Sequence, residues 1–135
     1  SAGMAITALN NNGITLFNEC LEIFSGFPNF NRKQIQKLSE NVKNNIEKFK
    51  FLSGILLLII SRLALLTALS RNLTPTKEES ALVIKLRPIA NVPDKLAELY
   101  SDLSKSFLSC EELNLDTANQ IFNSFIKIER KLVGN

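Results

Sequence analysis

The chain of 135 residues contains no histidine. That removes the usual general base near neutral pH and the commonest metal ligand. Cysteine is almost as scarce. Cys20 and Cys110 lie ninety positions apart, each within an amphipathic pattern. Two distant thiols do not make a zinc site by themselves, and the expected state of both is buried and reduced. Five scattered glycines form neither a phosphate-cradling loop nor a dinucleotide fingerprint. Bundle di-metal centres require a Glu-x-x-His pattern that cannot occur here. No catalytic, cofactor-binding or metal-binding residue is therefore assigned, and an enzyme is not expected. Proline is rare and valine scarce, which favours helices over sheets. There is no internal repeat and no low-complexity tract.

What is present is apolar. Hydrophobic residues make up 45% of the chain and charged residues 21%, the composition of a globular protein. By length this is a single helical domain, 1–135. Ser1–Gly3 read as a cloning scar before a native start at Met4, and no secretory pattern follows. The expected location is cytoplasmic, with membrane association as the alternative.

Six helical segments are predicted. The first spans about Ala5–Phe24, with "NNNG" (Asn10–Gly13) weakening its opening, so that the firm helix begins at Ile14. Gly26 and Pro28 then mark a loop, with Gly26 suited to a helix end. Phe27 and Phe30 are expected to fold back on the core. Asn31 is a good N-cap for the second segment. Apolar positions 35, 38, 42, 49, 52, 56, 59, 63 and 66 stay in phase as far as Arg71. They suggest one helix of about 40 residues with a kink or short break at Ser53–Gly54. Thr76 and Glu79 form a capping-box pattern before a short helix ending near Leu86. "ALVIKL" is also compatible with a strand, but nothing else would pair with it. The fifth segment starts near Pro93 and buries Leu96, Leu99, Tyr100, Leu103 and Phe107. Asp116 caps the sixth, and Gly134 closes it.

Phe51–Leu69 contains one charge, Arg62, in nineteen residues. Its twelve strongly apolar side chains favour bilayer insertion by about 0.3 to 0.6 kcal/mol each, and Arg62 opposes it by about 2.5 to 3.5 kcal/mol. The balance is weakly favourable at most. The other segments are amphipathic and need an apolar element to cover. The fold class expected is therefore all-α: a compact bundle of five or six helices around a hydrophobic central helix, Gly54–Arg71. In such a bundle Arg62 is a buried or interface polar residue, with Glu19 and Glu22 as expected partners. Ser61, Ala64 and Ala68 form a narrow seam where another backbone can approach.

Charge is unevenly placed. Arg32–Lys50 holds six basic and two acidic residues, a balance of +4, whereas Pro93–Glu112 holds two lysines and five acids, a balance of −3. These regions are expected to pair, within one chain or between copies. Lys33, Lys37, Lys43 and Lys48 are the candidate face for an anionic partner, although no aromatic residue is interleaved for base stacking. By elimination the expected role is a non-enzymatic helical interaction or assembly subunit, an adaptor or self-associating oligomer. The alternatives are a membrane-active protein that inserts the apolar helix, and a small basic nucleic-acid-binding subunit.

Overall fold

Asparagine sets three of the helix starts. The side-chain oxygens of Asn10, Asn31 and Asn45 accept from the backbone N–H groups of Gly13, Gln34 and Lys48. Each satisfies one of the orphan donors at a helix N-terminus. In the computed structural model, which describes residues 9–69 and 72–134, the order is α1 (Asn11–Ser25), α2 (Arg32–Glu40), α3 (Ile46–Thr67), α4 (Lys77–Leu86), α5 (Val92–Glu112) and α6 (Thr117–Val133). No strand occurs among the described residues. Residues 1–8 and Arg71, on which parts of the sequence reading fall, lie outside them.

The long second segment breaks at a different place from the one expected. Helix α3 runs unbroken past Gly54, and the chain instead turns at Asn41–Asn45. Asn44 takes the left-handed conformation (φ 53°), which asparagine tolerates, and Asn45 restarts the helix. The turn is anchored from α6, where the buried Thr117 hydroxyl donates to the Val42 carbonyl at 2.6 Å. All nine in-phase apolar positions are nonetheless buried. Their phase recorded a shared inward face, which two helices meeting at a turn present as well as one.

Helix α1 starts earlier than expected, at Asn11, because the Asn10 cap overrides the weak propensity of its first turn. Ile14 is 39% exposed. Gly26 is not left-handed (φ −74°). Glycine fits there because an added Cβ would lie 2.9 Å from the Asn29 carbonyl oxygen. Phe30 folds back fully and packs against Phe24 and Phe125 with ring centroids 5.5 and 6.4 Å away. Phe27 is only half-buried.

The Thr76–Glu79 capping box forms with both of its hydrogen bonds, and "ALVIKL" is helical within α4. Tyr100 lies on the exposed side of α5, whereas Leu96, Leu99, Leu103 and Phe107 are buried. Asp116 caps α6, and Gly134 ends it with a positive φ of 99°. Helix α3 is central and packs against α5, α1 and α6. Phe49, Leu52, Leu56, Ile59, Ile60 and Leu63 are fully enclosed and form the middle of the core.

Candidate functional site

Burial of α3 is incomplete, and the uncovered part is ordered. At 3.6 residues per turn, Gly54, Leu57, Leu58, Ser61, Ala64, Leu65 and Ala68 fall on one arc of the helix. All seven are exposed or half-buried. None carries a charge. Gly54 opens the arc, and an added Cβ would meet no heavy atom within 4 Å. Phe51 borders the arc at 41% exposure and Leu65 stands within it at 39%. The small-residue seam read in the sequence is therefore present, and it faces outward.

Arg62 leaves this arc and turns inward. Its Nε and one terminal nitrogen donate to the two carboxylate oxygens of Glu79, both at 2.7 Å. The same terminal nitrogen also donates to the Thr74 carbonyl at 3.0 Å. The pair is buried, with side-chain exposures of 3% and 0%. Glu79 additionally accepts from the Thr76 N–H. The expected partners Glu19 and Glu22 are both exposed on α1, and Glu22 accepts from Gln34 instead. The cause is topological. The connection from α3 to α4 folds the start of α4 back beside Arg62, so the capping carboxylate already recognisable in the sequence serves two roles.

A second ion pair was not foreseen. Arg32 grips Glu129 of α6 in a bidentate arrangement at 2.7 and 2.9 Å, and the Phe30 N–H donates to the same carboxylate at 2.6 Å. The Arg32 hydrogen bonds, chiefly, together with that from Phe30, hold the Glu129 carboxyl below the ordinary glutamate range. In the sequence Arg32 counted only as one cation of the basic stretch. Its pairing depends on the loop at residues 26–31 laying the start of α2 against α6.

The four candidate lysines do not share one site. Lys33 and Lys37 are exposed on α2, Lys43 on the turn and Lys48 at the start of α3. Lys37 lines a hollow of about 240 Å³ between α1 and α2, together with the acids Glu19 and Glu22. Lys48 lines a neighbouring hollow of about 490 Å³ against Leu16, Phe51 and Leu52. The two hollows share Glu19, Leu38 and Asn41. Two of the five acids of α5 pair with lysines of α6: Asp102 with Lys127, and Glu98 with Lys131. These pairs stand in place of the pairing with Arg32–Lys50 expected within one chain.

Both thiols are fully enclosed and unbridged. Burial pushes each up, with added repulsion from Glu19 at Cys20 and from Glu111 and Asp116 at Cys110. Neither has the character of a nucleophile. No cluster of three metal-ligating side chains occurs among the described residues. The chain matches no family model, no curated protein and no solved structure.

Proposed function

We propose that this chain is a non-enzymatic assembly subunit that engages another helix through the uncharged face of α3. The observation that carries this reading is the outward arc from Gly54 to Ala68. The solvent face of a surface helix ordinarily carries charged and polar side chains. Here about four turns of leucine and small residues are left exposed or half-buried, and covering them is favourable by about 25 cal/mol for each Å² of apolar surface removed. The non-enzymatic part of the reading has separate support. The two best-organised carboxylates, Glu79 and Glu129, are occupied by arginines in structural roles, and histidine is missing.

The test is a photo-crosslinking residue placed at Leu65 in the protein expressed in its native host, with Lys105 on α5 as the control position. Adducts of discrete protein mass from position 65 alone support the reading. Adducts to lipid alone, or no adduct, overturn it.

One observation favours a second reading. An 18-residue window of α3 has a mean hydropathy of 2.1, and the helix is long and apolar enough to cross a membrane. Insertion would carry Arg62 into lipid and take it from Glu79, which is why a protein surface is preferred as the partner of α3. Dye release from anionic liposomes that is abolished by Leu58→Lys would reverse that preference.

A further inference from the structure

Three elements meet round the hollow of about 490 Å³ without filling it. Leu38, Val42 and Leu52 are buried beneath it, and Leu16 and Phe51 form apolar walls that remain partly exposed. Its rim is polar. Asn12 and Glu19 stand on α1, Asn41 on the turn after α2, and Lys48 in the first turn of α3. An apolar lining with a few convergent polar groups, at this volume, is the make-up of a small-ligand pocket.

The rim groups are uncommitted. Thr15 turns back to the Asn11 carbonyl of its own helix. Among the described residues no hydrogen bond or ion pair crosses the hollow, and Glu19 and Lys48 border it without meeting. The side-chain amides of Asn12 and Asn41 likewise have no protein partner there. The smaller hollow differs, because Gln34 of α2 donates to Glu22 of α1 across it at 3.2 Å. The chain closes one hollow with its own side chains and leaves the other open.

The lining specifies a guest. Glu19 favours a cation and Lys48 an anion, so a molecule with charge of one sign only is repelled at one end. A carboxamide offers both a donor and an acceptor, the complement of a peptide group. The floor accepts apolar side chains and penalises charged ones. The guest's two charges must also stand apart, because those of the host do not meet. A single amino acid keeps its charges too close together, whereas each further extended residue separates them by about 3.3 Å.

We infer that this hollow binds a short apolar peptide with free ends, two or three residues long. Its ammonium lies at Glu19, its carboxylate at Lys48, and its peptide groups at Asn12 and Asn41. The site does not depend on the assembly role proposed above, although Phe51 borders both surfaces.

The probe is trileucine, titrated into the isotope-labelled full chain and followed by backbone amide shifts. Saturable shifts should appear around residues 12–19, 38–42 and 48–52, with a Kd of about 10⁻⁴ to 10⁻³ M, because one side of the guest stays in water. Acetylating the N-terminus or amidating the C-terminus should each weaken binding by about two- to fivefold, the range of an exposed ion pair. Charge reversal at the rim is the stricter readout. In Glu19→Lys the acetylated peptide should bind better than the free one, and in Lys48→Glu the amidated peptide should. Both positions are exposed, so the circular dichroism spectrum should not change. Equal binding of free and blocked peptides in all three proteins would mean that only apolar contact is felt, and would overturn the inference. So would shifts confined to the outward arc of α3, or no saturable shift at trileucine concentrations well above the expected Kd.

Discussion

Arg62 of α3 and Glu79 of α4 hold each other through two hydrogen bonds of 2.7 Å, from positions 17 residues apart, in a place where neither touches bulk water. The same Glu79 carboxylate closes the capping box of α4 through the Thr76 N–H. One side chain thus starts a helix and fixes that helix against the core.

Removing one member of such a pair leaves a buried charge without compensation. Arg62→Met should cost about 3 to 5 kcal/mol in urea denaturation. Adding Glu79→Gln should restore much of that loss, because glutamine keeps the capping hydrogen bond without a charge. If the double variant is no more stable than Arg62→Met alone, Glu79 is not the group left stranded.

The second pair gives a pH dependence. The Glu129 carboxyl is held below its ordinary value, mainly by Arg32. Its contribution is present above the unfolded glutamate value of about 4.3 and is lost as pH falls through the lower, folded value. Glu129→Gln should therefore narrow the difference in stability between neutral and acid pH. Denaturation midpoints for both proteins, measured from neutral pH downward, check this. Parallel curves would mean that Arg32 does not perturb Glu129.

Gly54 sits in mid-helix with open space where its Cβ would be. Gly54→Ala should stabilise the dilute protein by about 0.5 to 1 kcal/mol through helix propensity alone. A fall in melting temperature would mean that something does pack there.

Phe125 joins α6 to α1 and to the loop before α2, with ring centroids 5.8 Å from Phe24 and 6.4 Å from Phe30. It is fully buried. Phe125→Ala should cost about 3 to 5 kcal/mol, and Phe125→Leu markedly less, because the cavity left behind is smaller. Equal losses would place the energetic weight on ring geometry rather than on volume.

The all-helical fold was legible where signals are local. The Thr76 box, the Asp116 and Asn31 caps, Gly134 and the apolar phase from Ile35 to Leu66 each depend on neighbours within one or two turns. Misreadings arose where the outcome depended on distant parts of the chain. Ser53–Gly54 looked the weakest point of the long segment because propensity alone marks glycine. The turn went instead to Asn44, the left-handed residue, where Thr117 from the far end of the chain secures the Val42 carbonyl. The sequence marks Arg62 as needing a carboxylate and offers Glu19 and Glu22, whereas the pairing with Glu79 depends on how α4 folds back. The small-residue seam was visible by spacing, yet only packing decides whether such a seam points inward or outward. Nothing in the spacing of Lys33, Lys37, Lys43 and Lys48 reveals that Glu19 and Glu22 border the hollow beside Lys37, or that Glu19 also borders the one beside Lys48.

Cys20 and Cys110 are sealed within the folded protein, in contact with neither solvent nor each other. A maleimide or spin label offered to the native chain finds no thiol until the bundle opens. The rate of thiol uptake by the unaltered protein is accordingly a clock for opening of the core. A cysteine introduced at any surface position can be derivatised without first replacing the two that nature supplied.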